Sequence, residues 1–318
     1  MQGLVTVVGG SGFVGRYVVQ VLAAGGARVR VAVRHPNAAM FLKPLGQTGQ
    51  IQLIAADIRD ERQMAAAMHG ADAAVNLVGI LTEGGGRSFR GIHAEGAGTV
   101  ARAAAGAAVR TLVHVSAIGA DAASPSAYGR SKAAGEAAVR AAFPNATILR
   151  PSLVFGPEDA FINRFAALAR AAPAMPVVSG ATRFQPVYVV DVARAIADSL
   201  DDPRRFGGAM FELGGPTVYT FRALLAWIMR EIRVHKPLID VPPMAARLMA
   251  RAGDLLPGLP MTSDQYAMLG RDNVVGAGVP GLEAFGIRPT PLEAVAPGYL
   301  ERYRKAGRFN DERAATTA

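Results

Sequence analysis

Two side chains in the middle of the chain have the types and spacing that acid–base chemistry requires. Tyr128 and Lys132 stand four residues apart, so on a helix they share one face. An ammonium beside a phenol lowers the pKa of the phenol, which can then act as a general acid or base. In a nicotinamide site the same lysine also holds the ribose hydroxyls. A tyrosine and a lysine four residues apart are common by chance, so the neighbouring elements must show whether this pair belongs to a nicotinamide site.

A glycine-rich turn near the start of the chain supplies that context. The apolar, β-branched run Leu4–Val8 is long enough only for a buried strand, and apolar residues then recur at helical spacing over about 12–24. Between them, Gly9 allows a sharp turn, and Gly15 allows the helix to pack close to the strand. A strand, a tight turn and a helix in this order predict a binding site for a pyrophosphate.

The first turn of this helix is the predicted anion site. Gly12 has no Cβ, so backbone amides there can approach a phosphate closely. Unpaired N–H groups and the positive end of the helix dipole converge at this point. The alternative is a glycine-rich helix start without a ligand. The residues predicted to bind the pyrophosphate are Gly9, Gly12, Phe13, Val14 and Gly15.

The tip of the second strand indicates which dinucleotide is bound. The run Arg28–Val33 predicts this strand, and NAD-binding sites have an acidic residue at its end to bind the ribose 2′-hydroxyl. Arg34 stands there instead, and a guanidinium suits a 2′-phosphate through paired, charge-assisted hydrogen bonds. The sequence therefore predicts NADP(H) in preference to NAD(H). The alternative is a solvated surface arginine.

Strand and helix patterns alternate through the rest of the first half. Further strands are predicted at 51–58, 73–79 and 111–116, with helices between them. This alternation predicts an α/β fold with a doubly wound parallel sheet, Rossmann-like, and helices on both faces. The fourth strand ends at Val78 and Gly79, which we predict as cofactor contacts, because a glycine allows the backbone to lie against a ligand.

Composition excludes several classes of function. The chain has 318 residues, no cysteine and a net charge of +9. Without cysteine there are no disulfides and no thiolate chemistry. The five histidines show no metal-ligand spacing, so no metal site is predicted and each is interpreted as a surface or packing residue. Scattered arginines and few aromatics disfavour nucleic acid as a partner, and no apolar run predicts a transmembrane helix.

Longer stretches resemble a known family. The turn Gly-Gly-Ser-Gly-Phe-Val-Gly at 9–15, together with Tyr128-x-x-x-Lys132, resembles the extended and atypical short-chain dehydrogenases/reductases. Further stretches are similar to the nucleotide-binding accessory subunits of respiratory complex I, the ninth-subunit family of its alpha subcomplex; they lie at 114–117, 142–159, 184–193 and 272–275. The resemblance covers most of the chain and is most specific up to about residue 200.

The resemblance implies a tightly held NADPH. It places Arg34 near the 2′-phosphate, and Asp57 and Ile58 beside the adenine. The residues implied at the nicotinamide end are Tyr128, Lys132, Pro151 and Ser152. In the complex I subunit the nucleotide is regarded as structural, and no turnover is assigned to it.

The resemblance also implies two domains. An NADP(H)-binding Rossmann-like domain is expected over 1–157, completed by about 187–200. A smaller C-terminal substrate or docking lobe is expected over 201–318, together with about 158–186.

One departure from the family pattern bears on activity. Active members usually place a serine or threonine shortly after the fifth strand to polarise the substrate carbonyl. That slot is Ala117 or Ile118 here, and Ser116 stands one residue early. Side chains alternate along a strand, so Ser116 is a doubtful catalytic residue. We expect Tyr128 and Lys132 to persist as a ribose clamp at a site that is catalytically weak or inactive.

A proline-bracketed stretch in the second half is a candidate docking surface. Over about 243–256, apolar residues share one side of a helix and arginines lie elsewhere. This pattern fits a membrane-surface or partner-docking helix, and equally a lid packed on its own domain.

Three hypotheses therefore remain open. The first is an NADP(H)-binding accessory subunit that docks on the peripheral arm of complex I, cytoplasmic and peripheral on the inner membrane of a bacterium. The second is a free-standing reductase, epimerase or dehydratase that acts on a small carbonyl or nucleotide-sugar substrate through Tyr128 and Lys132. The third is a redox-sensing regulator. The fold itself does not choose among them.

Overall fold

The computed structural model describes residues 2–255, 261–305 and 307. The strands are, in chain order, β1 (Leu4–Val8), β2 (Arg28–Val33), β3 (Ile51–Ala55), β4 (Ala73–Asn76), β5 (Thr111–Val115), β6 (Thr147–Pro151), β7 (Val154–Phe155), β8 (Met175–Val177), β9 (Arg183–Phe184), β10 (Val187–Tyr188), β11 (Met210–Leu213), β12 (Tyr219–Thr220) and β13 (Leu238–Asp240).

The α-helices are α1 (Phe13–Ala24), α2 (Glu61–Met68), α3 (Gly96–Gly106), α4 (Ala127–Ala142), α5 (Phe161–Ala171), α6 (Val189–Asp201), α7 (Pro203–Phe206), α8 (Phe221–Glu231), α9 (Pro243–Leu255), α10 (Ser263–Met268) and α11 (Leu292–Leu300). Short 3-10 helices lie at Pro36–Leu45, Leu282–Phe285 and Glu301–Tyr303, and a π-helical turn, Arg90–Glu95, leads into α3. No helix in the described ranges is long and apolar enough to cross a membrane.

Seven parallel strands form the main sheet, in the order β11-β6-β5-β4-β1-β2-β3. The chain runs outward from β1 to β3 and then crosses back to β4 on the other side of β1. The carboxyl ends of β1 and β4 therefore lie at the point where the winding reverses, which is where doubly wound sheets bind their ligands. The predicted α/β fold with a parallel, Rossmann-like sheet is confirmed.

Helices flank this sheet and bury its apolar side chains. Helices α2, α3 and α4 pack side by side, and α1 packs against α6. One buried cluster joins strand residues such as Leu112 and Ile148 to Met64, Met68 and Val100 of the helices. The strands are β-branched and apolar because parallel strands are covered on both faces.

The chain divides into two compact units. The first contains 2–151, 189–213 and 275–288, and so holds the whole main sheet. The predicted boundaries gave everything after 200 to the C-terminal lobe. The structure instead returns 210–213 to the first unit, because β11 pairs in register with β6.

The second unit contains 152–188, 214–274 and the described residues from 289 onward, with 256–260 outside the description. Three two-stranded sheets lie in it, pairing β7 with β10, β8 with β13, and β9 with β12. Its core is built by Phe155, Phe184, Phe221 and Trp227 around α5, α8 and α11.

Helix α9 of the second unit exposes several of its large apolar side chains. Met244 is 84% exposed and Leu248 is 70% exposed, whereas Ala246 and Ala250 are buried. Up to residue 254, the side chains of α9 that are buried on the unit are therefore alanines. The predicted segment 243–256 ends one residue outside the described range.

Candidate functional site

The glycine-rich turn follows β1 and ends at α1. Gly9 has a φ of +84°, in the left-handed region, and a Cβ there would lie 2.9 Å from Val78 Cγ2. The Gly9 N–H donates to Ala32 O (3.0 Å), and the Gly12 N–H donates to Gly9 O (3.1 Å). Backbone hydrogen bonds hold the turn, and its glycines leave no room for a Cβ beside Val78.

The N-terminus of α1 fits the predicted anion site. Gly12 is the N-cap, and no side chain of the described residues caps this end of the helix. The first turn also contains no acidic residue. First-turn amides have no acceptor within a helix, so the N–H groups of Phe13 and Val14 are available to an anion. A Cβ on Gly15 would lie 2.6 Å from backbone atoms of Gly10, so only glycine permits this packing.

Charged side chains collect beyond β2 and β3. Arg34 follows β2, is exposed, and forms no hydrogen bond or salt bridge with another described residue. The pKa of Asp57 is lowered to about 2, first by hydrogen bonding from the Arg59 side chain and more weakly by the charge of Arg34. Asp57 is already paired with Arg59 at 2.7 Å, which leaves Arg34 as the cation available to a phosphate.

The position implied for Ile58 beside an adenine stays a prediction, and its side chain lies in the core. Its side chain is 5% exposed and belongs to the core cluster that contains Met64 and Ile92. A Cβ on Gly96 would lie 3.1 Å from it, which shows how tightly α3 covers it. An apolar side chain is stabilised more by burial in the core than by a place in the solvent-exposed crevice. The backbone of Ile58 is therefore the part that can face a base.

Helix α4 carries both members of the predicted acid–base pair. It begins at Ser126, whose hydroxyl accepts from the Gly129 N–H (3.2 Å). Tyr128 is partly buried, whereas Lys132 is 4% exposed. The Lys132 Nζ donates to Val115 O (3.0 Å), at the carboxyl end of β5. The ammonium therefore lies at the sheet edge that doubly wound folds use for ligands.

The charge of Lys132 is balanced by a buried carboxylate one turn away. Burial lowers the pKa of Lys132 to about 8, and the Glu136 carboxylate partly offsets this. Glu136 in turn accepts two hydrogen bonds from Arg150, of 2.8 and 2.7 Å. Arg150 also lies 3.5 Å from Glu212 on β11. The Glu136 carboxylate helps Lys132 to keep its proton at neutral pH although it is buried.

His93 belongs to this site, although no motif in the sequence marks it. Its ring stacks on Phe89 with 5.4 Å between ring centroids and meets the Tyr128 ring edge-on at 5.3 Å. The ring is 2% exposed, and both nitrogens are hydrogen-bonded, one to the Ile80 N–H and one to Ser131. Interpreting His93 as a packing residue is correct for its burial but misses its contact with Tyr128.

No accessible hydroxyl lies at positions 116–118, where the family pattern has the serine or threonine that polarises the substrate carbonyl. Ser116 is 4% exposed, and its hydroxyl has no hydrogen-bond partner in the described part of the chain. Its N–H donates to Leu149 O (2.7 Å), which fixes it against β6. The next two residues are Ala117 and Ile118, which have no hydroxyl. The tyrosine and lysine of the family pattern are thus present without a serine that a substrate could reach.

Pro151 and Ser152 fall in different units. Pro151 ends β6 and accepts from the Ile118 N–H (3.1 Å). The Ser152 Oγ lies 2.7 Å from both the carbonyl oxygen and Oδ1 of Asn273, so this hydroxyl is engaged within the second unit. A place by the nicotinamide stays a prediction for both residues. Among the described residues, no group of three or more histidines and carboxylates could hold a metal ion.

A comparison with protein families decides the assignment that this geometry suggests. Residues 5–214 match the model of the NAD dependent epimerase/dehydratase family. The chain belongs to this family. The matched range contains the glycine-rich turn, Arg34 and the Tyr128–Lys132 pair.

Several relatives of this family member are subunits of respiratory complex I. The chain is 35% identical over 316 residues to the mitochondrial NADH dehydrogenase [ubiquinone] 1 alpha subcomplex subunit 9 of Arabidopsis thaliana, covering 95% of this chain and 78% of that protein. It is 35% identical to the corresponding protein of Mus musculus, covering 94% and 80%. The resemblance to the accessory subunits of complex I is confirmed.

A solved structure supports the fold. An NADPH-dependent quinone oxidoreductase of Escherichia coli, complexed with NADPH, superposes with a TM-score of 0.72 over 93% of this chain and 99% of that one, at 20% identity. Nicotinamide dinucleotides are the ligand class of the epimerase/dehydratase family and of this neighbour.

The predicted location on the inner membrane of a bacterium is wrong. The complex I relatives found for this chain are mitochondrial proteins of eukaryotes, from a plant and a rodent among others.

The buried amine of Lys132 should leave a signature in the pH dependence of stability. A lysine with a lowered pKa in the folded state costs stability below about pH 8, and this cost disappears as the pH rises towards 10.5. We expect the difference in unfolding free energy, Lys132→Met minus wild type, to decrease over this interval. Urea denaturation at several pH values measures it. The exposed Lys43→Met is the control, and a difference for Lys132→Met that does not change with pH would contradict the burial.

Proposed function

We propose that this protein binds NADP(H) and serves as an accessory subunit of respiratory complex I, with a nucleotide that is structural and not turned over. The observation that carries the proposal is a glycine-rich turn suited to a dinucleotide on the same sheet edge as the Tyr128–Lys132 pair, together with the burial of Ser116. Loss of one donor to a developing oxyanion typically costs about 10²–10³ in rate. A site without that donor is suited to holding a nucleotide.

Different residues of the proposed dinucleotide-binding site match different parts of the cofactor. The N-terminus of α1 would hold the pyrophosphate, with Val78 and Gly79 across the crevice from Gly9. Asp57 and Arg34 lie beyond the strand ends where the adenosine would bind. Lys132 would bind the nicotinamide ribose through the N–H groups that it does not give to Val115. When bound, the nicotinamide supplies hydride chemistry, which this proposal does not require.

Arg34 supports NADP(H) over NAD(H). A ribose 2′-hydroxyl is bound by a carboxylate at the end of β2, and this chain has an unpaired, exposed guanidinium there. Asp57, whose pKa the charge of Arg34 helps to lower, is held by Arg59 and so does not compete for the position. A 2′-phosphate could therefore pair with the Arg34 guanidinium.

Replacing Arg34 by Asp is expected to weaken NADPH far more than NADH. A hydrogen bond to a charged group contributes about 1.5–3 kcal/mol, so the loss for NADPH should be roughly 10- to 100-fold. Titration calorimetry with both nucleotides measures it. Arg28→Asp is the matched control, because Arg28 is exposed at the other end of the same strand. Equal losses for the two nucleotides would contradict the selectivity.

The complex I relatives support the peripheral arm of that complex as the partner, since their similarity extends over nearly the whole chain. We expect the protein, captured from membranes dissolved in mild detergent, to bring with it subunits of complex I and stoichiometric NADPH. Mass spectrometry and nucleotide analysis measure both. Steady turnover of a carbonyl substrate that Tyr128→Phe abolishes, without complex I subunits in the eluate, would favour the free-standing enzyme.

Helix α9 supports a membrane-surface contact as part of this docking. Met244 and Leu248 are exposed one turn apart, and Arg247 and Arg251 are exposed beside them. Apolar side chains flanked by arginine are typical of helices that lie on anionic lipid. We assign the membrane-surface contact to α9 alone.

Changing Met244 and Leu248 to Asp should release the protein from anionic vesicles. Burying an apolar side chain contributes about 1.5–3 kcal/mol, so the double variant should bind more than roughly tenfold more weakly. Flotation with vesicles that contain phosphatidylserine measures binding. Val218→Asp is the control, because Val218 is an exposed apolar residue of the same unit outside α9. Unchanged flotation of the α9 variant would remove lipid from the proposal.

A further inference from the structure

The π-helical turn Arg90–Glu95 puts one histidine ring against the predicted acid–base pair. Such turns are rare, are mostly single turns within α-helices and are frequent at functional sites. This one leads into α3 and buries His93 between Phe89 and Tyr128. The irregularity is therefore local to the residue that touches Tyr128.

Two hydrogen bonds fix the protonation of the His93 ring. The Ile80 N–H donates to Nε2 (2.9 Å), so Nε2 carries no proton. The proton of a neutral ring is then on Nδ1, which donates to Ser131 Oγ (2.8 Å). Burial and the charge of Lys132 lower the pKa of His93 to about 3, so the ring stays neutral at physiological pH.

The same chain of bonds continues into the first turn of α4. The Ser131 hydroxyl donates to Tyr128 O (2.7 Å), so Ser131 accepts from His93 and passes its own proton to the Tyr128 backbone. The His93 ring also meets the Tyr128 ring edge-on, with an angle of 89° between the planes. Tyr128 is thus held at its backbone and at its ring by one neutral imidazole.

We infer that His93 is a positioning residue, which connects the cofactor-facing segment after β4 to Tyr128 and sets the orientation of the Tyr128 ring towards the nicotinamide ribose. This inference rests on the proposed NADP(H) site. The His93 ring is 2% exposed, so it acts through the residues that it contacts, Ile80, Ser131 and Tyr128.

Packing of the main chain supports this role. A Cβ on Gly135 would lie 2.1 Å from His93 O, so α4 rests directly on the backbone of the π-helical turn. On the other side, a Cβ on Gly79 would lie 3.6 Å from His93 Nε2. The segment Val78–Ile80 and helix α4 therefore have a common support in His93. A dinucleotide that orders the segment after β4 would order Tyr128 through the same ring.

The test separates the nicotinamide half of the cofactor from the adenosine half. His93→Leu removes both hydrogen bonds, His93→Asn keeps a donor near Nδ1, and His93→Gln keeps an acceptor near Nε2. The ligands are NADPH and adenosine 2′,5′-bisphosphate, which lacks the nicotinamide ribose. We expect His93→Leu to weaken the binding of NADPH by roughly 5- to 10-fold, which corresponds to the loss of about one hydrogen bond. The affinity for the bisphosphate should stay unchanged. The Asn and Gln variants should each recover part of the loss.

The role also predicts coupling with Tyr128. If His93 acts through the tyrosine, His93→Leu should cost little in a Tyr128→Phe background beyond what Tyr128→Phe costs alone. Equal weakening of NADPH and the bisphosphate, which general loosening of the fold would produce, overturns the inference. Fully additive losses also overturn it.

A measurement without ligand distinguishes this inference from the proposed function. With carbon-13-labelled tyrosine rings, the Tyr128 resonance is identified by its loss in Tyr128→Phe. We expect that resonance to shift in His93→Leu and to move back towards its wild-type position in His93→Gln, which restores a hydrogen bond but no ring current. If it does not shift, or does not move back in His93→Gln, the inference is wrong whatever the protein binds. If wild type binds no dinucleotide while the resonance shifts in His93→Leu and moves back in His93→Gln, the proposed function fails and the positioning of Tyr128 by His93 stands.

Discussion

The close approach of α1 to the end of β1 is the constraint on which the rest of the first unit depends. A Cβ on Gly15 would collide with the Gly10 backbone at 2.6 Å, and a Cβ on Gly10 would lie 2.7 Å from Val31 Cγ1. The helix therefore touches the turn backbone to backbone, and the turn packs directly on Val31 of β2. As a result, the amide end of α1 lies at the carboxyl ends of β1 and β4, where an anion site is predicted.

A second constraint is the burial of a cation at the same sheet edge. A buried ammonium needs a hydrogen-bond acceptor and a negative charge nearby. Lys132, which is 4% exposed, donates to Val115 O and has Glu136 as its countercharge. Glu136 is buried too and needs Arg150, which reaches Glu212 on the edge strand β11. The charge of the candidate site is thus balanced through a chain of residues that extends to the border of the sheet.

Sequence patterns predicted the fold and named candidate site residues, but they did not predict what tertiary packing decides. The strands β1 and β2 match their predicted bounds, whereas the third, fourth and fifth end one to three residues earlier. The burial of Ser116 depends on how β5 is covered, because four of the five residues of β5 are buried and their burial does not alternate. The burial of Ile58 and the role of His93 depend on α3 and on a π-helical turn, which leave no periodic signal.

The alanine face of α9 has a consequence for how the second unit opens. Among its described side chains, Ala246 and Ala250 are buried, and they join a small cluster with Val178 and Met261 that Leu269 links to the main core of the unit. Small side chains remove little apolar area from water, so few kilocalories hold this helix in place compared with α8 and its bulky aromatic neighbours. Compared with α8, α9 is therefore expected to exchange its amides with solvent through partial opening, well before the aromatic core unfolds.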